Sequence, residues 1–216
     1  MTTILQINAG LHGAASTSSI LADRIAARIR SGSENASHIM RDLSADPIPH
    51  LDGATFRSFS DPVPPTTPPE KTGKALSDRL ISELKQADYL VLGVPMYNLM
   101  IPSTLKSWID HVTRAGETFH FTKTGPVGLV DGVTAYLAIA QGGQFLGTPD
   151  DLVTLYLRAA LGLIGIRDVT CFYAQGLAAG PQAAEAGLRH ACTSIDALLQ
   201  APLHQTSARR DIQPVP

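Results

Sequence analysis

Along the 216-residue chain, apolar positions switch repeatedly between two spacings. Short, nearly continuous runs occupy residues 3–8 (TILQIN), 38–43, 89–94 (YLVLGV), 133–140 (VTAYLAIA) and 169–174. They are too short for helices and are bounded by turn formers, so each predicts a strand. YLVLGV and VTAYLAIA are apolar enough to be buried on both faces, as in a parallel sheet. Between these runs, apolar residues recur every third or fourth position. Leu21, Ile25 and Ile29 predict a helix that starts at the hydroxyls Ser16, Thr17 and Ser18 and stops at Gly32. Leu76, Leu80 and Leu84 predict a helix over 74–86, and Leu105, Trp108, Ile109 and Val112 predict one from Pro102 to near Thr113. Residues 150–164, with Asp150 and Asp151 in the first turn, and residues 181–199 complete the set. Two stretches break the rhythm. Residues 44–70 read as a long proline-rich loop, either a lid or interface element or a plain surface loop, because seven of the fifteen prolines fall between 47 and 69. Residues 114–131 carry Phe119, Phe121 and several glycines without a period and read as a second long loop. Residues 201–216 read as a flexible tail.

Strand and helix alternate five times, which implies an α/β fold: a doubly wound five-stranded parallel sheet with helices on both faces, in one domain over residues 1–200. For five strands the expected arrangement is the flavodoxin-like order 2-1-3-4-5, whose switch point lies between strands 1 and 3. The unusual loops follow strands 1, 3 and 4, which are neighbours in that order. Ser16-Thr17-Ser18, Met96-Tyr97-Asn98 and Gln141-Gly142-Gly143 would therefore meet in one crevice at the carboxyl edge. The first of these resembles a phosphate site without a lysine, since amides at a helix N-terminus and three hydroxyls suit a monophosphate. A serine-rich N-cap is the plainer reading of the same residues. The diglycine allows a flat ring to come close to backbone, or simply makes a tight turn.

Composition narrows the partner. A net charge of −2 and a pI near 6.4 leave no basic footprint for nucleic acid or for an anionic membrane. No apolar run approaches about 18 residues, and the N-terminus lacks the basic-then-apolar order of a secretory signal, so a soluble, cytoplasmic protein acting on small molecules is expected. Cys171 and Cys192 have no CxxC spacing and no flanking basic residue, and read as buried spectators. The seven histidines lack metal-ligand spacing, so no metal is expected. GxxxxGK[ST], GxGxxG and GxSxG are all absent, which disfavours a triphosphate loop, a dinucleotide fingerprint and a hydrolase elbow.

Several segments together resemble one family. Pro95-Met96-Tyr97-Asn98, Ile101-Pro102-Ser103-Thr104-Leu105-Lys106, Arg114-Ala115-Gly116 with Thr118-Phe119, and Gly125-Pro126-Val127-Gly128-Leu129-Val130 are similar to the signature block of the FMN-dependent NADH:quinone oxidoreductases and azoreductases. Arg41-Asp42-Leu43, Pro47-Ile48-Pro49, Leu51-Asp52-Gly53, Asp151-Leu152-Val153, Leu161-Gly162 and Gly165-Ile166 extend the resemblance to about residue 200. It implies an FMN enzyme that takes electrons from NADH or NADPH and passes two of them to a quinone or an azo compound in a ping-pong cycle. It also implies a homodimer whose sites are completed by the second subunit. Residue by residue, it places Gly10, Ser16, Thr17 and Ser18 at the FMN phosphate, and Pro95, Met96, Tyr97, Asn98 and Leu99 at the isoalloxazine ring. Ala140, Gln141, Gly142 and Gly143 fall at the pyrimidine side, and Phe119, Phe121 and Leu163 on the substrate side. No acid, base or nucleophile is implied as catalytic, because the flavin carries the chemistry. The chain departs from the family pattern at Gly10 (often serine), Leu99 (usually phenylalanine) and Ala140-Gln141 (usually serine-arginine). Loss of the arginine predicts a flavin that is harder to reduce. The rival readings are a non-catalytic flavodoxin-like electron carrier and a flavin-binding or FMN-free sensor.

Overall fold

The computed structural model describes residues 1–33, 35–59 and 64–199. In chain order the elements are β1 (Thr2–Asn8), α1 (Thr17–Ser31), β2 (Ala36–Asp42), α2 (Gly53–Ser58), α3 (Pro68–Gln86), β3 (Tyr89–Pro95), α4 (Ser103–Val112), β4 (Phe119–Thr122), β5 (Gly125–Gly128), β6 (Thr134–Ala140), α5 (Leu152–Ile164), β7 (Val169–Ala174) and α6 (Pro181–Leu199). Five strands pair in parallel in the order β2-β1-β3-β6-β7. The expected numbering 2-1-3-4-5 gives way to this one because two further strands, β4 and β5, intervene in the chain and pair only with each other, antiparallel.

The strand alternation divides the core in two. Leu5, Ile7, Leu90, Leu92, Leu137 and Ile139 face α3, α4 and α5, where Leu80, Leu105, Trp108, Leu157 and Leu161 cover them. Ile4, Val91, Tyr136 and Ala138 face α1 and α6, and pack on Leu21, Ile25, Ile29, Ala191 and Ile195. Each leucine or isoleucine fully buried this way contributes about 1.5 to 3 kcal/mol relative to exposure. Both helix layers thus hold the sheet rigid, and the loops at its carboxyl edge are left to carry function.

Five expectations change. The proline-rich segment is not structureless: α2 lies within it, capped by Asp52, whose carboxylate accepts from the Thr55 amide at 2.7 Å. Helix α3 begins at Pro68 rather than at 74, because Thr67 and Glu70 form a capping box and prolines are tolerated in a first helical turn. The second long loop is the β4–β5 hairpin. Asp151 caps α5 instead of lying in its first turn, and both cysteines are half-buried rather than buried. The tail at 201–216 lies outside the described residues.

Arg114 fastens these irregular parts together. Only 5% exposed, its guanidinium donates to Ser77 Oγ at 2.9 Å, pairs with Asp78 Oδ1 at 2.7 Å and with Glu117 Oε1 at 3.1 Å, and lies 5.2 Å from the ring centre of Phe59. The proline-rich segment, α3 and the approach to the hairpin therefore meet on one side chain. Arg114→Ala should cost about 2 to 4 kcal/mol, near the low end for a broken buried pair because both carboxylates keep access to water. Urea denaturation measures it. Burial raises the Asp78 carboxyl, but hydrogen bonds from Arg114 and Lys74 prevail and hold it below its ordinary value. A lowered carboxyl contributes stability that is present above its unfolded pKa and is lost as pH falls through the folded value. The difference between wild type and Arg114→Ala should accordingly shrink below about pH 4.

Candidate functional site

The loops that leave β1, β3 and β6 lie side by side at the carboxyl edge and are joined to one another. The Leu11 amide donates to Tyr97 Oη at 3.2 Å, which links the first loop to the second, and the Met96 amide donates to the Ala140 carbonyl at 2.8 Å, which links the second to the third.

In the first loop a single 3-10 turn, Gly13–Ala15, leads to Ser16 at the N-cap of α1. A serine there usually accepts from an amide of the first helical turn. Ser16 does not: its Oγ accepts from the His12 amide at 3.1 Å. The amides of Thr17, Ser18 and Ser19 consequently find no acceptor among the described residues. Ser18 Oγ and Ser19 Oγ are buried and likewise have no partner. Donors gathered at the positive end of a 15-residue helix suit a dianion. Gly10 is required beside them, since a Cβ at that position would lie 2.3 Å from both Cβ and Oγ of Ser16. The glycine departure and the turn of Ser16 Oγ toward the His12 amide are two sides of one packing solution.

The second loop is a tight turn. Tyr97 and Met100 exchange amide-to-carbonyl bonds of 2.9 and 3.0 Å, and both central residues are left-handed, Asn98 at φ 50° and Leu99 at φ 65°. Asparagine adopts this conformation readily, whereas for leucine it costs about 1 to 2 kcal/mol. Strain of this kind persists where surrounding structure over-determines it, commonly at ligand sites.

In the third loop the carbonyls of Gln141, Gly142 and Gly143 accept from the amides of Leu177, Ala178 and Gly176. The amides of Gly142 and Gly143 have no acceptor among the described residues, so this loop offers donors to the crevice. Gln175 Oε1 accepts from the amides of Phe145 and Leu146, each at 2.8 Å. The side chain of Gln141 is fully buried and turned toward Asp151 at the head of α5, with Nε2 to Oδ1 at 3.4 Å. Leu11, Leu99 and Leu146, one on each loop, stand exposed around the mouth.

The substrate-side candidates are elsewhere. Phe119 and Phe121 make an edge-to-face pair, 5.3 Å between ring centres, on the β4–β5 hairpin, with Phe121 74% exposed. The hairpin is rooted against the end of α5: a Cβ on Gly128 would lie 2.1 Å from the Gly165 nitrogen, and the Val130 amide donates to the Ile164 carbonyl at 2.9 Å. Leu163 is half-buried beside that root. Helix α5 ends where β7 begins, at the amino edge of the sheet, and the seven residues of β6 separate the two edges by about 23 Å. Phe119, Phe121 and Leu163 therefore do not line the crevice of their own chain.

Several other reactive side chains have structural partners. Burial pushes the Cys171 thiol up, and Arg158, distant in sequence, approaches its sulfur at 3.5 Å. His111 Nδ1 lies 2.9 Å from the Ser107 carbonyl and His38 Nε2 lies 2.9 Å from Gln6 Oε1. Among the described residues no group of histidines, cysteines and carboxylates could hold a metal ion. Sequence reasoning overlooked Ser19, Leu11 and Gln175. Ser19 extends the hydroxyl run and was legible, whereas the other two matter only through long-range contacts.

A family model described as flavodoxin-like fold matches residues 2–199. The FMN-dependent NADH:quinone oxidoreductase of Burkholderia pseudomallei (strain 1710b) is 43% identical over 198 residues, covering 92% of this chain and 100% of that protein. The protein of the same name from Dechloromonas aromatica (strain RCB) is 41% identical over 196 residues, covering 91% and 98%. Among solved structures, azoreductase from Bacillus anthracis str. Sterne superposes with a TM-score of 0.83 at 25% identity, over 92% of this chain and 99% of that one.

Proposed function

The chain belongs to the FMN-dependent NADH:quinone oxidoreductase family, and we propose that it is an FMN enzyme carrying two electrons from NADH to quinones and, where they fit, to azo compounds. The observation that carries this reading is the set of unspent donors in the crevice. Three amides and two buried hydroxyls at the start of α1 match a phosphate, and the amides of Gly142 and Gly143 match the oxygen-bearing edge of a flat heterocycle. The residues present fit FMN at both ends.

In this reading Ser18, with Ser16 and Thr17, holds the phosphate, and the Gly10 cradle leaves Ser16 room to do so. Met96, Tyr97, Asn98 and Leu99, entered through Pro95, flank the ring, and Ala140, Gly142 and Gly143 close its pyrimidine side. FMN held there would supply the redox chemistry, hydride uptake from a reduced nicotinamide and two-electron delivery to the acceptor. The chain's own part is to bind, orient and exclude water. The strained Asn98-Leu99 turn is pinned through Tyr97 to the first loop, so the two halves of the cleft cannot drift apart. The leucines at the mouth keep the approach apolar, which suits a quinone or an aryl azo compound. One crevice admits one flat partner at a time, so donor and acceptor alternate.

The homodimer belongs to the same proposal. Phe121, Val127, Leu152 and Leu155 are exposed apolar side chains on the hairpin and α5. In a twofold pair that hairpin is free to reach the other copy's crevice, which its own chain denies it. A cytoplasmic setting, where NADH is supplied, and a single domain over residues 1–200 complete the reading; among the described residues no helix is long and apolar enough to cross a membrane. Steady-state NADH oxidation with a soluble quinone is the test: parallel double-reciprocal lines are expected. A protein that binds FMN yet shows no turnover would be a carrier instead.

A further inference from the structure

We propose that Gln141 is a positioning residue that fixes the diglycine loop to the head of α5, acting on the crevice through Asp151 rather than by touching a ligand. The inference rests on the FMN reading for its functional consequence and on side-chain geometry for its substance.

Gln141 ends the run out of β6 and immediately precedes Gly142 and Gly143, whose amides are the donors of the third loop. Its backbone is held at both sides, the amide by the Ala174 carbonyl at 2.8 Å and the carbonyl by the Leu177 amide at 3.2 Å. Its side chain is 0% exposed. Nε2 reaches Asp151 Oδ1 at 3.4 Å, and the same carboxylate oxygen accepts from the Thr154 amide at 3.4 Å and from Thr154 Oγ1 at 2.8 Å. Thr154 Oγ1 in turn lies 3.0 Å from Tyr173 Oη on β7. A polar chain therefore runs from the crevice loop through the cap of α5 to the edge strand. The other end of the glutamine amide, Oε1, is buried without a donor. A buried acceptor left unmatched lowers stability, so the side chain is an inefficient way to fill that space. Leucine would fill it better. What glutamine adds is a side-chain tie between the loop and the helix.

The arrangement also changes what an arginine would do at this position. Asp151 is 6% exposed and within reach, so a guanidinium at 141 meets a carboxylate before it meets anything in the crevice. It would restore the tie as an ion pair and leave little field for a ring.

Three substitutions test this. Gln141→Leu should leave the thermal midpoint of the flavin-free protein unchanged or higher, while hydrogen exchange quickens about tenfold at the Gly176, Leu177 and Ala178 amides, which donate to the carbonyls of Gly143, Gln141 and Gly142. Affinity for FMN and for riboflavin should fall together, about tenfold, because the ring end is loosened and the phosphate end is not. Gln141→Asn, one methylene too short to reach Asp151, should behave like leucine in exchange and affinity, and stands in if the leucine variant does not fold. Gln141→Arg should restore slow exchange and wild-type affinity and leave the reduction potential where it was. Wild-type exchange in both shortened variants would overturn the proposal. So would an arginine variant whose reduction equilibrium rises tenfold, about 30 mV, since position 141 would then address the ring directly. Faster exchange in the variants combined with no flavin binding by the wild type would leave the tie standing and remove the FMN reading.

Discussion

Replacing Ser16 and Ser18 together by alanine is expected to weaken FMN binding at least tenfold and to abolish most of the preference for FMN over riboflavin. Each hydroxyl facing a phosphate is a charge-assisted donor worth about 1.5 to 3 kcal/mol before compensation. The two contribute differently to the flavin-free protein. Ser18 Oγ is buried with no partner, so its removal deletes an unmatched polar atom and should not lower the thermal midpoint. Ser16 Oγ accepts from the His12 amide, so its removal should cost about 1 kcal/mol of stability. Loss of cofactor affinity without a matching loss of stability is the expected pattern, read by flavin fluorescence titration beside thermal denaturation. Equal affinity for FMN in the double variant would place the phosphate elsewhere.

Phe121→Asp is expected to convert a dimer into a monomer of 22.9 kDa at micromolar concentration and to reduce turnover with quinone severely. Phe121 is 74% exposed in the single chain, on a hairpin rooted at the opposite edge of the sheet from the crevice loops. A twofold interface uses each contact twice, so removing the ring from both copies forfeits about 3 kcal/mol or more, over a hundredfold in dissociation constant. Burying two carboxylates in their place adds to that. Sedimentation of both proteins is the measurement. A wild type that already sediments at 22.9 kDa would remove the shared site from the proposal.

Where the chain's own pattern controls structure, the sequence was legible. The apolar run of β7 and the proline-initiated α6 fall at the residues their periodicity indicates, because β7 buries Phe172 and Ala174 beneath the helix layer and α6 lays Ala191 and Ile195 over them. The hairpin was not legible. Of its eight residues Phe119 alone is buried, so β4 and β5 present no alternation and owe their pairing to one another. The early start of α3 is written in Thr67-Pro68-Pro69-Glu70, a capping box set inside a proline density that by composition alone reads as loop. At the crevice, the three loops could be brought together by topology alone. Two facts could not be read that way: Ser16 turning to His12 and leaving the helix amides unspent, and Gln141 turning to Asp151. Each depends on a side-chain rotamer chosen by neighbours distant in sequence or by the absence of a Cβ at Gly10.

The most direct test is an anaerobic titration of the FMN-reconstituted protein, followed by its visible flavin absorbance. Addition of one equivalent of NADH per chain should bleach the flavin band fully. Addition of one equivalent of a soluble quinone should then restore it, with no NADH present in the second step. A chain that takes up no FMN, or one whose bound flavin is left unbleached by NADH, would contradict the assignment as an NADH-dependent flavin oxidoreductase.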